Sequence, residues 1–353
     1  MSTIDSTITP LRPVAPPRRG SDYSLLLTQV KQAGLLDRRR SYYAVRMAIN
    51  AVLLIGGWTA FVLLGTSWWQ VATAAFLAVV FTQIGFVGHD AGHRQIFRSR
   101  RANDLVGMLH ANLAIGLSYG WWVESHSRHH AHPNQEGKDP DIAIRALAFS
   151  SDQAGARGRI AGAIYRYQAF LFFPLLLGEG FSLHVDSARA VVRDRLPHRG
   201  WERLLLGSHL VGYAGLIFFV LPPLPAIGFI LLQQGLFGLY LGCSFAPNHK
   251  GMPILDRADA TDFLRRQVLT ARNVRGGPLT DLLLGGLNYQ IEHHLFPSMP
   301  RPTLRRAQPM IRAYCLEHGL PYLETGLVES YRQALVHLHT VGRNPTSGIA
   351  DSR

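Results

Sequence analysis

Residues 47–93 read MAINAVLLIGGWTAFVLLGTSWWQVATAAFLAVVFTQIGFVGHDAGH, and this stretch decides the fold. Met47 to Leu64 and Trp68 to Gly88 carry no Lys, Arg, Asp or Glu. Each run is about long enough to cross a bilayer core, which takes roughly 20 helical residues. A second pair of runs, Leu204 to Leu221 and Leu224 to Ala246, is equally free of those residues, with His209 as its one strongly polar interruption. The pattern predicts an all-α integral membrane protein with four transmembrane helices in two hairpins, carrying a helical cap.

The turns inside the hairpins, Gly65 to Ser67 and Pro222 to Pro223, are short and uncharged, whereas Arg38 to Arg40, Arg98 to Arg101 and Arg193 to Arg199 flank the other ends. Positive charge collects on the cytoplasmic side of a membrane, so the cap and both termini are expected there, in a multi-pass cell membrane protein. Trp68 and Trp69 suit the opposite interface, where an indole keeps its N–H wet and buries its ring. Two further apolar segments, Leu105 to Trp122 and Ala169 to Gly178, read as interfacial or re-entrant, the first because it contains His110 and Asn112 and the second because it is short. Tyr23 to Arg46 reads as an amphipathic helix on the membrane surface, and Pro302 to His339 as the helical cap. Residues 1–20 and 341–353 are expected to be disordered around a single domain of residues 21–340.

The 353 residues include 16 His and only two Cys, with a formal charge of +13. Cys243 and Cys315 are too few for a thiolate-held cluster or a disulfide framework. The excess of Lys and Arg borders the apolar spans, which accounts for it without nucleic acid.

The histidines gather in patterns. His89 and His93 are four apart where the second span ends, so a continuing helix presents both imidazoles on one face. His126, His129 and His130 repeat that geometry at relative positions zero, three and four. Gln290, His293 and His294 repeat it again, with Gln in first place. As His89 follows the first hairpin, so Asn248 and His249 follow the second, which predicts a comparable depth for His249. A pH-tuned interfacial cluster would not need three such groups. Eight histidines, with Gln290 and Asn248 as further polar candidates, exceed the four ligands of one tetrahedral zinc and call for two metals. Imidazole suits iron, copper or zinc, and two adjacent irons are favoured because they can activate O2.

At these residues the sequence resembles the membrane fatty acid desaturase family, whose boxes read HxxxH, HxxHH and a final HxxHH or QxxHH. Trp121-Trp122, the run HHAHPNQEGKDPDI from His129 to Ile142, APNHKGM around His249, and LNYQIEHHLFPSMPR from Leu287 to Arg301 are similar to its front-end branch. The resemblance implies His89, His93, His126, His129, His130, His249, His293 and His294 as ligands of two Fe ions, with O2 as co-substrate. Gln290 stands where other branches place a ninth histidine. The implied activity is oxygen-dependent insertion of a cis double bond into a fatty acyl-CoA or acyl-lipid chain, of front-end Δ6 type or Δ9 type. The haem motif HPGG of fused cytochrome b5 domains is not in this sequence, so a separate electron donor of ferredoxin, cytochrome b5 or flavin-reductase type is expected.

Breaking C–H bonds in unactivated methylenes is beyond any side-chain acid or base, so the oxidant must come from the metals and O2. Asp90, Glu124, Asp139, Asp141 and Glu292 lie in or near the boxes, where a carboxylate can accept the second ring N–H of a ligating histidine. Lys250, Arg193 to Arg199 and Arg301 to Arg306 form a basic set that could meet phosphates or an acidic donor, although membrane orientation alone explains their charge. His110, His132, His184, His198, His318, His337 and His339 read as structural or surface residues, whereas His209, a polar residue inside a span, is a functional candidate by default that an interhelical hydrogen bond would also satisfy. The nearest rival is a hydroxylase or ketolase on the same scaffold. An intramembrane zinc metalloprotease is remote, because HDAGH lacks the Glu of HExxH. A metal or haem carrier would place its ligands inside the spans.

Overall fold

Two long helices, each ending at a candidate histidine, form the axis of the fold. The computed structural model describes residues 22–156, 158–193 and 196–343. In chain order the helices are α1 (Asp22–Gln32), α2 (Arg40–Leu64), α3 (Gln70–Gly92), α4 (Arg100–Met108), α5 (Tyr119–Ala131), α6 (Ser151–Ala156), α7 (Gly158–Tyr165), α8 (Gln168–Leu176) and α9 (Glu179–Arg193). They continue with α10 (Arg199–Val220), α11 (Pro223–His249), α12 (Phe263–Leu269), α13 (Pro278–Leu283), α14 (Gln290–Leu295), α15 (Arg301–Glu317) and α16 (Leu327–Arg343). By length and composition α2, α3, α10 and α11 can each cross a membrane, and α8 with α9, bent by 65°, could count as a fifth, broken span.

Each of the four helices outruns the apolar run that predicted it. Helix α2 begins at Arg40, since Tyr43 anchors its first turns by donating to Gln95 Oε1 at 2.8 Å. Helix α3 continues to Gly92 and α11 to His249, which keeps His89 and His249 in helical register with the spans. The antiparallel run of α2 along α3 follows from paired contacts: Gln70 donates to the Phe61 carbonyl at 2.7 Å, and Asn50 to that of Gln83 at 3.2 Å. Helices α3 and α11 form the inner pair, with Phe81 packed edge-on to Phe237. Helices α9 and α11 cross closely, because a Cβ on Gly238 would stand 2.3 Å from the Gly180 backbone nitrogen.

One expectation changes. Tyr23 to Arg46 is not one surface helix: Gly34, at φ +64°, turns the chain between α1 and α2. Leu26 and Val30 of α1 are then buried against α15, so the apolar face of α1 packs on protein. Leu105 to Trp122, read as interfacial or re-entrant, runs through the end of α4, a π-helical turn at Leu109–Ala114 and the start of α5. Gly116 takes φ +72° at the break, and the imidazoles of His209 and His184 crowd the place a Cβ would take. Beside the helices, the two-residue strands β1 (Asn273–Val274) and β2 (Glu324–Thr325) pair in parallel, which leaves the fold class all-α. The segment expected to form the cap contains α15 and α16, and α16 runs on to Arg343, three residues into the expected tail. The rest of both expected disordered ends lies outside the described residues.

Candidate metal centre

Eight histidines from four helices meet where α3 and α11 end. The helical spacing does the local work: α3 presents His89 with His93 as its C-cap, α5 presents His126, His129 and His130, α11 ends on His249, and α14 carries His293 and His294. Nitrogen atoms of His89, His93, His126 and His293 lie within 4.8 Å of one another, and so do those of His129, His249 and His294. Each group could hold a metal ion. His130 stands between them, its ring stacked on His294 at 4.2 Å and its Nε2 3.1 Å from His126 Nε2.

Hydrogen bonds fix which ring nitrogens face inward. His249 Nδ1 lies 2.9 Å from the Thr270 carbonyl, which can only accept, so Nδ1 carries the proton and Nε2 the lone pair. Gln267 donates to the His130 carbonyl at 3.0 Å, which aims its Oε1 at His294 Nδ1, 2.8 Å away. His294 Nε2 is therefore also a lone pair, and it faces His249 Nε2 across 3.0 Å. Two lone pairs at that distance repel unless a cation lies between them. In the other group the buried Nε2 atoms of His89 and His93 and both ring nitrogens of His293 have no hydrogen-bond partner among the described residues. A metal-ligand role satisfies such atoms, so this donor set fits metal ions.

Burial, reinforced by the neighbouring imidazoles, holds His126, His130, His293 and His294 well below the ordinary imidazole value, which keeps them neutral as ligands must be. His129 differs. Burial opposes its charge, but Asp141 and Asp139 outweigh burial and raise it.

The carboxylates divide as their neighbours dictate. Asp139 accepts from His129 Nδ1 at 3.0 Å, and Asp141 lies 3.5 Å from the same atom. Asp90 lies 3.2 Å from His89 Nδ1. Glu124 is exposed on α5 and does not join the site. Glu292, although fully buried, meets no histidine ring: it accepts from Tyr322 and Asn273, both at 2.7 Å, because α14 turns it away from His293 and His294. Gln290 Nε2 is 2.8 Å from His249 Nε2, and Asn248 donates to Gln290 Oε1 at 3.3 Å, so both candidates stand beside the second group. Arg301 is no surface cation: it is buried against Asp90 at 2.5 Å. Lys250 donates to the Asp141 carbonyl at 3.0 Å and lies over the Phe149 ring.

A model of the fatty acid desaturase family matches residues 66–326. The chain belongs to that family. Curated relatives include the acyl-lipid (9-3)-desaturase of Physcomitrium patens, 29% identical over 320 residues, covering 87% of this chain and 60% of that protein. The Delta(6)-fatty-acid desaturase of Caenorhabditis elegans is 32% identical over 292 residues, covering 78% of this chain and 66% of that protein. The Delta(8)-fatty-acid desaturase of Helianthus annuus is 26% identical over 335 residues, covering 90% and 72%. The chain thus spans 60% and 66% of the length of the first two relatives.

In this desaturase-family chain several groups around the histidines had no signal in the sequence. Gln267 joins His130 to His294, the Thr270 carbonyl orients His249, and Asn134 donates to the His249 carbonyl at 3.2 Å. Glu202 on α10, just before the apolar run, is also buried. Its oxygens accept from Ser118 Oγ at 2.6 Å, from Asn112 at 3.1 Å and from the Gly120 N–H at 3.1 Å. It thereby caps the helix that carries His126, His129 and His130. His209 donates to the Leu113 carbonyl at 2.9 Å, the interhelical bond expected of a polar residue in a span.

Proposed function

We propose that this chain is an oxygen-dependent desaturase that introduces a cis double bond into a fatty acyl chain carried on CoA or a lipid. The observation that carries the reading is the adjacency of two histidine groups, His89, His93, His126 and His293 beside His129, His249 and His294. With His130 between them they would hold two iron ions, and bound iron would supply, with O2, the oxidising power that unactivated methylenes demand.

The protein's own part is position and exclusion. Asp90, Asp139, Thr270 and Gln267 hold imidazoles by the nitrogen that faces away from the centre, so the ligands are set before metal arrives. Burial of both groups keeps bulk water from the reacting carbons. The charge pattern favours the cytoplasmic face of the cell membrane for this centre, with the acyl chain lying among the spans. Electrons would come from a redox donor of ferredoxin, cytochrome b5 or flavin-reductase type. The relatives' names span Delta(6), Delta(8) and (9-3) activities, which supports a front-end position for the new bond.

The test is the purified, iron-loaded protein supplied with acyl-CoA or acyl-lipid, O2 and a reducing system, with products identified by mass spectrometry. A new double bond is expected. An alcohol or ketone alone would assign the chain to a hydroxylase or ketolase on the same scaffold.

A further inference from the structure

Arg272 lies in the short segment Thr270 to Val274 that runs behind His249, and its side chain is 0% exposed. Five oxygen atoms hold its guanidinium, and none belongs to a carboxylate. Nε donates to the Pro247 carbonyl and to Ser330 Oγ, both at 2.7 Å. One terminal nitrogen donates to Gln333 Oε1 at 2.7 Å, and the other to the carbonyls of Ser330, at 3.1 Å, and Lys250. Burial brings it down to about 10, so it stays charged at neutral pH.

The Pro247 and Lys250 carbonyls stand at the C-terminal end of α11, where a helix leaves its last acceptors unpaired and its dipole negative. A buried cation is well matched to that end. The backbone N–H of Arg272 adds a bond to the Asn248 carbonyl at 3.0 Å. Three of the four carbonyls from Pro247 to Lys250 are thus fixed by one residue, and the fourth, that of His249, is fixed by Asn134. The ring of His249 is held by Thr270, two residues before Arg272. Asn273, one residue after it, accepts from the Ile291 N–H at 2.9 Å and so holds the first turn of α14, which carries His293 and His294.

We propose that Arg272 is the positioning residue for His249, and through it for the metal ion assigned to His129, His249 and His294. The inference rests on the functional reading only in taking those imidazoles as iron ligands. Arg272 also fastens α16 to α11 through Ser330 and Gln333, so a purely structural role is the competing account. Tyr331 separates the two, since its hydroxyl ties α16 to α11 at the Cys243 carbonyl, 2.5 Å away, without touching residues 247–250.

The experiment uses the full chain in detergent, loaded anaerobically with Fe(II), with iron counted and Mössbauer spectra recorded for the parent and for Arg272→Gln, Arg272→Lys, Tyr331→Phe and His249→Ala. The parent is expected to bind two irons. Arg272→Gln is expected to lose about half of them and to give the spectrum of His249→Ala, with Arg272→Lys recovering most of the signal and Tyr331→Phe keeping the parent spectrum. A folded Arg272→Gln with both irons and the parent spectrum overturns the proposal. So does a Tyr331→Phe protein that loses the same signal, because that outcome assigns the effect to α16 docking. If Arg272→Gln does not fold, Arg272→Lys decides: a small loss confined to the iron missing from His249→Ala, as expected of an incomplete rescue, supports the proposal, and a loss shared equally by both irons, or no loss at all, overturns it. A parent that binds no iron overturns the reading of the histidine groups and this inference with it.

Discussion

Arg301 and Asp90, far apart in sequence, form a buried ion pair at 2.5 Å, with side-chain exposures of 5% and 2%. Arg301 also donates to the Phe86 carbonyl at 2.7 Å, and its backbone N–H to Gln95 Oε1 at 3.0 Å. The start of α15 is thereby locked onto the end of α3. Asp90 faces His89 with its other oxygen, so the pair joins the start of α15 to the first histidine.

Asp90→Asn keeps the shape but leaves the Arg301 charge buried without its partner. Breaking such a pair from one side costs about 3–5 kcal/mol. The expected outcome is a clear fall in Tm in detergent and, at the His89 group, a fall of about 10–100-fold in metal affinity. Thermal melts with and without iron would measure both effects. The double variant Asp90→Asn with Arg301→Met is expected to recover part of the stability and none of the affinity.

His293 and His294 are adjacent in sequence and belong to different groups. His293→Ala and His294→Ala should therefore each reduce iron from two ions to roughly one per chain, and the ion retained should differ between them. Iron analysis with Mössbauer spectra would reveal this, and identical spectra for the two variants would contradict the division. Chelation of both ions should lower Tm, because facing lone pairs such as those of His249 and His294 are then left unbridged.

Burial pushes Glu292 up from 4.5 to about 7, against the pull of its bonds from Tyr322 and Asn273. The folded value lies above the unfolded one, so the stability contributed by the protonated acid is complete below 4.5 and is lost as pH rises through about 7. Glu292→Gln, which cannot ionise, should remove this component of the pH dependence between those values. Melts of parent and variant at pH 5, 6, 7 and 8 would show converging curves on the acid side if burial sets the balance.

Glu202 accepts three hydrogen bonds where α5 begins. Glu202→Ala should leave buried donors unmet at about 1–3 kcal/mol each, and shift the histidines of α5 enough to weaken both metal groups. Glu202→Gln keeps one oxygen acceptor and should fall between parent and Ala in Tm and in iron content.

What the sequence determined by itself rests on local periodicity. Charge-free runs of bilayer length marked α2, α3, α10 and α11, and histidines three and four apart had to share a helix face. Those properties need no distant neighbour, because helix geometry fixes them within two turns. The ends of the helices were misplaced, since Tyr43, His89 and His249 extend them through contacts made outside the apolar run. The tertiary structure alone decided how eight histidines divide. Consecutive residues on a helix point about 100° apart, so His293 and His294 can face two different groups, and only the meeting of α3, α5, α11 and α14 says which. The same holds for the groups that orient them. Arg301, Gln267, Arg272 and Glu202 reach the site from elements remote in sequence, and a single buried polar residue leaves no period to read. Glu292 shows the converse: its place between His293 and the box glutamine marked it as a partner of histidine, yet the turn of α14 gave it to Tyr322 and Asn273.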